Sequence, residues 1–75
     1  MARTFSGARL RGLRTASGLS REQLAVTAGK SMSAVIAYEQ GREAPGVNAA
    51  AALAEALGTT VDALLGDPGE GQGGG

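Results

Sequence analysis

REQLAVTAGKSMSAVIAYEQG, residues 21–41, spaces its small and apolar side chains for two helices that cross at a tight turn. Ala25 stands four residues before Gly29, and Val35 follows six residues after it. An alanine lets the second helix pass close to the first, and a glycine takes the positive φ that the turn demands. A β-branched valine then anchors the second helix to the core. Leu24, Ala28 and Tyr38 supply the remaining inward positions.

The flanks carry matching start and stop signals. Ser20 followed by Gln23 fits a capping box, and Leu19 with Leu24 fits the hydrophobic staple that sets a helix's entry angle. That helix runs through Ala28 and stops at Gly29; Ser31 caps the next, which continues to Gln40 and ends at Gly41. Upstream, Ser6 caps a first helix with Leu10 and Leu13 inward, and Gly18 closes it. Downstream, Arg42 to Gly46 is a loop stiffened by Pro45. A fourth helix, about Val47 to Leu57, is alanine-rich from Ala49 to Ala52, with Leu53 and Leu57 inward, and Gly58 ends it. Thr60 then caps a short fifth helix through Leu65 that buries Val61, Leu64 and Leu65. No period-two strand pattern appears. The expectation is an all-α, compact five-helix bundle over residues 6–66. Residues 1–5 form an N-terminal arm, and residues 67–75 a glycine-rich tail or linker without apolar side chains to offset its ordering entropy.

Composition narrows the chemistry. Seventy-five residues build one modest core. With no cysteine and no histidine, the chain lacks a disulfide framework, a thiolate metal site and the commonest general base. Only scattered carboxylates and serines remain, and Ser6, Ser20 and Ser31 are accounted for as helix caps. An enzyme is not expected, nor is a metal or other cofactor. No stretch is apolar enough to span a membrane, and no signal-peptide core precedes the first helix, so a cytoplasmic protein is the expectation. The net charge of zero hides an asymmetry: Arg3, Arg9, Arg11, Arg14 and Arg21 precede every acidic residue. Without Asp67 and Glu70 of the tail, seven basic residues face five acidic ones, a net of +2. That balance favours nucleic acid only slightly.

Two helices at such a turn are either an ordinary helical hairpin or a helix-turn-helix, whose second helix enters the DNA major groove. Four stretches bear on the choice: RLRGLRTASGLSREQLA (9–25), AGKS (28–31), YEQGREAP (38–45) and AALAEALGTTVDALLG (51–66). Over residues 9–66 the chain resembles the phage repressor and Cro-like, or xenobiotic-response-element, family of helix-turn-helix regulators. Each motif is weak alone, but together, in order and without gaps, they are specific. The resemblance implies a compact five-helix, lambda-repressor-like domain that binds double-stranded operator DNA, usually as a homodimer. It also implies that Arg14 and Glu39 form a partly buried structural ion pair between the first helix and the recognition helix.

By the same correspondence Arg21 and Ser31 hold phosphates, where helix-start amides also favour anions, and Lys30 and Arg42, which flank the recognition helix, are phosphate candidates. Arg9 and Arg11 are equally well read as phosphate contacts or as a solvated face. Base edges fall to Met32, Ser33, Ile36, Ala37 and Gln40. Here the chain departs from the family, whose members commonly carry long polar side chains on this face. Bidentate base readout is nearly absent, leaving thymine-methyl contacts, a Ser33 hydrogen bond and shape readout. The same departure supports a second reading, a protein-interaction module that docks a partner on Met32 and Ile36. The resemblance also implies a dimer seam around the fourth and fifth helices, Val47 to Leu65, although nothing in those residues distinguishes a dimer face from core. The tail fits a linker to a fused sensor domain as well as it fits a true terminus.

Overall fold

The computed structural model describes residues 4–66. Residues 1–3 of the expected arm and all of the expected tail, 67–75, lie outside the described residues.

Local capping chemistry sets the helices. The Ser6 hydroxyl accepts from the Arg9 amide at 3.2 Å and opens α1 (Gly7–Ala16). Ser20 and Gln23 complete the reciprocal box that opens α2 (Arg21–Ala28): the Gln23 amide donates to Ser20 Oγ at 3.0 Å, and the Ser20 amide donates to Gln23 Oε1 at 2.8 Å. Gly29 ends α2 at φ +69°, and the Lys30 amide reaches back to the Ala25 carbonyl at 2.8 Å. That six-to-one bond satisfies a carbonyl the helix would leave open, and it turns the chain into the next helix. Ser31 Oγ accepts from the Ala34 amide at 3.0 Å to open α3 (Met32–Glu39). Gln40 is the cap residue of α3, one position outside the helix. α4 (Val47–Ala56) follows the loop, its first turn uncapped by any side chain because Gly46 precedes it.

The fifth helix differs from expectation. Thr60 does cap it, its hydroxyl accepting from the Ala63 amide at 3.3 Å, but Val61–Leu64 is a four-residue 3-10 turn. The chain then straightens, with Leu65 at φ −98°, ψ 137°. Leu65–Gly66 (β2) pairs antiparallel with Thr4–Phe5 (β1), Phe5 opposite Leu65 and Thr4 opposite Gly66. The Ser6 amide extends the clasp to the Leu64 carbonyl at 2.8 Å. These backbone bonds hold the segment extended, where a further helical turn would break them. Among the described residues the fold is therefore four α-helices, a 3-10 turn and a two-stranded clasp. Val61, expected inside, is 38% exposed as a consequence, while Leu64 is fully buried.

The core is small, and in α1 to α3 it is built as the spacing predicted. Leu10, Leu24, Val35, Leu53 and Leu64 are fully buried, packed with Ala25, Ala28 and Ala54. Leu13, Tyr38 and Leu57 cover the cluster from the side. Each fully buried aliphatic side chain contributes roughly 1.5–3 kcal/mol relative to exposure, so five of them carry most of the stability available to such a domain. Phe5 stands edge-on to Tyr38, ring centroids 6.3 Å apart, tying the clasp to α3. Gly7, at the first position of α1, meets the end of α3 backbone to backbone. A methyl there would fall 2.6 Å from the Glu39 carbonyl oxygen and closer still to that of Tyr38. This contact sets how α3 sits against α1. No helix among the described residues is long and apolar enough to cross a membrane.

Candidate nucleic-acid interface

Α3 buries one side and shows the other. Val35 is fully buried and Tyr38 packs on the core, whereas Met32 is 48% exposed and Ser31 and Ser33 are exposed. Ile36 is half-buried. Ser31, Ser33, Ala34, Ile36, Ala37, Arg42 and Glu43 surround one open hollow along this side. Its depth follows from the small side chains at 33, 34 and 37 and from the chain folding back after α3. The amides of Arg42 and Glu43 donate to the Ala37 carbonyl at 3.0 and 3.4 Å. Ala37, expected on the base-reading side, therefore lies in the wall of the hollow and is buried to 6% exposure. Gln40 lies beyond the helix end, and its Oε1 accepts from Arg42 Nε at 2.9 Å.

The back of α3 is held by charge. Arg14 is a buried residue of α1, and its Nε donates to Glu39 Oε2 at 2.5 Å and its Nη2 to Oε1 at 3.3 Å. Its Nη1 donates to the Leu19 carbonyl at 2.8 Å, binding the turn before α2 as well. The expected ion pair is thus a fork-on-carboxylate contact that joins α1, the α1–α2 turn and α3. A third participant was not anticipated: Arg21 Nε donates to Glu39 Oε1 at 3.1 Å. Arg21, expected as a phosphate ligand, stands on the first turn of α2, where nothing in the sequence signals a partner eighteen residues away. Among the described residues no buried side-chain polar atom lacks a hydrogen-bond partner.

Of the expected phosphate ligands, Ser31 and Arg42 border the same hollow. Lys30 is half-buried in the turn immediately before Ser31. Arg21 is engaged with Glu39 but keeps 37% of its side chain exposed. Glu43, a carboxylate to which the sequence pattern gives no role, shares the rim with Arg42. No group of three or more His, Cys, Asp or Glu side chains among the described residues could hold a metal ion.

A helix capped by Ser31, exposed along one side and clamped to its neighbours along the other, defines a helix-turn-helix module. The profile of the helix-turn-helix domain family matches residues 7–65, and the chain belongs to that family, in its repressor/Cro-like branch. Solved structures agree. The restriction-modification controller protein C.AhdI from Aeromonas hydrophila is 41% identical over 77% of this chain and 88% of its own, at a TM-score of 0.75. The clp gene regulator ClgR from C. glutamicum is 32% identical over 77% of each chain, at 0.72. The DNA-binding domain of the P22 c2 repressor is 26% identical over 85% of this chain and 84% of its own, at 0.78. The P22 c2 repressor is also known in complex with a synthetic operator, in a structure that is 29% identical over 79% of this chain and 89% of its own, at 0.75. No curated protein matches the chain closely.

Proposed function

We propose that this chain is a sequence-specific DNA-binding transcriptional regulator, acting as a repressor, that lays α3 in the major groove. The observation that carries the reading is the two-sidedness of α3: Val35 is fully buried and Glu39 is clamped behind it, while Met32, Ser33 and the hollow face outward. In this reading Ser31, Lys30, Arg21 and Arg42 hold phosphates, assisted by the amides at the starts of α2 and α3. Met32, Ser33 and Ile36 meet base edges, with Ala37 contributing from the hollow wall and Gln40 from the distal end.

So few polar groups read few bases, and one copy then binds weakly. A homodimer on two half-sites belongs to the same proposal. Its seam runs along the apolar groove that Phe5, Pro45, Val47, Val61 and Leu65 line, where Val47 is 85% exposed. Selection from a random DNA pool tests the proposal. The expected outcome is a two-fold symmetric site with half-sites about 34 Å apart along the helix axis. Lys30→Ala with Arg42→Ala should weaken binding to all sequences alike, since phosphate contacts carry no sequence information. A pool in which no sequence is enriched would overturn the reading. The half-buried Ile36 beside exposed Met32 keeps a protein-docking module as the alternative.

A further inference from the structure

One buried carboxylate between two arginines has more positive charge than its burial requires. Arg14 alone neutralises Glu39 through both oxygens, with 10% and 2% of the two side chains exposed. Arg21 nevertheless brings its Nε to 3.1 Å from Oε1, from a side chain that is 37% exposed. That bond occupies one edge of the guanidinium, and the terminal nitrogens of Arg21 have no second partner among the described residues.

We infer that Glu39 is a positioning residue for DNA binding: it grips Arg21 by Nε so that the Nη1/Nη2 edge is presented, already ordered, to a backbone phosphate. The inference rests on the DNA-binding reading above. An arginine free in solution surrenders rotamer freedom when it meets a phosphate, whereas a clamped one has surrendered it on folding. Because Arg14 neutralises the carboxylate, the three-residue cluster keeps one net positive charge, and Glu39 orders Arg21 without cancelling its pull on an anion. Arg21 opens α2 and Glu39 closes α3. The phosphate grip and the tilt of the recognition helix are therefore fixed by one carboxylate. Lysine cannot substitute, since a compact ammonium lacks the second edge.

The test is fluorescence anisotropy on a duplex chosen by pool selection with the wild-type chain, at temperatures well below each variant's melting transition. Arg21→Lys and Arg21→Gln should each lose about tenfold in affinity, the loss of one charge-assisted fork contact. Glu39→Gln should lose about fivefold alone and nothing further in the Arg21→Lys background, while lowering the melting temperature in both. Arg21→Lys at parity with wild type would overturn the inference, because charge alone would then suffice. An equal affinity loss from Glu39→Gln in both backgrounds would overturn it too, leaving Glu39 a purely structural role. Should Glu39→Gln not fold, the Arg21→Lys comparison decides alone. Arg21→Gln at parity with wild type removes Arg21 from the interface and the inference with it, yet leaves the DNA-binding reading standing. Failure of the wild-type chain to bind any duplex fells both.

Discussion

Arg14 shows how much a single side chain can hold together. Its guanidinium spends three donors on Glu39 and on the Leu19 carbonyl. A buried ion pair adds little net stability over an apolar pair, but removing one member strands the other charge. Arg14→Ala should therefore cost roughly 3–5 kcal/mol, discounted where Arg21 still shields the carboxylate. A urea melt measures it, and an unchanged midpoint would contradict the pairing. Gly7 makes the opposite kind of contribution, through what is missing. On an open helix, Gly→Ala gains about 0.5–1 kcal/mol. Here the new methyl would lie 2.6 Å from the Glu39 carbonyl oxygen, an atom of the backbone that cannot swing aside. Gly7→Ala should destabilise by about 1–3 kcal/mol, the usual cost of overpacking. A gain in stability would mean that α1 and α3 do not approach this closely.

Helix ends are local events, and they were the most legible part of the chain. Ser6, Ser20, Ser31 and Thr60 each accept from the amide three residues on, as their positions before apolar runs implied. Ser20 is the fullest of these caps, since Gln23 returns the bond. Ser20→Ala should cost about 1 kcal/mol by thermal or chemical melt, while leaving α3 itself intact. The inward spacing of Leu24, Ala25, Ala28 and Val35 was equally readable because a helix repeats its burial every three or four residues. What escaped depended on elements meeting across the fold. A two-residue clasp is too short to leave an alternating pattern, so β1 and β2 were invisible and a fifth α-helix was expected where the pairing imposes a 3-10 turn. In the candidate site, the positions of Ser31 and Arg42 at either end of α3 were readable, but the hollow they border and the burial of Ala37 depend on how residues 42 and 43 fold back. The bond between Arg21 and Glu39 depends on the angle at which α2 crosses α3, which no local signal encodes.

Taken whole, the molecule has no net charge with which to attract DNA: the sequence is neutral, and residues 1–66 are only weakly basic. Attraction to DNA must then come from where the cations stand, which makes ionic strength the sharpest discriminator between the two functional readings. In the proposed complex Arg21, Lys30 and Arg42, together with the amides at the starts of α2 and α3, would make about four phosphate contacts per copy, each releasing condensed counterions. The logarithm of affinity should then fall against the logarithm of salt concentration with a slope near −4 per copy, and about twice that for a dimer on two half-sites. A protein partner docked on Met32 and Ile36 would bury apolar surface in place of phosphate charge, and its affinity would barely respond to salt over the same range. Titration of a labelled duplex between roughly 50 and 200 mM salt separates the cases, since four contacts predict a loss of more than a hundredfold. A flat response would move the function of α3 from nucleic acid to protein, with the same helix, the same exposed side and a different occupant.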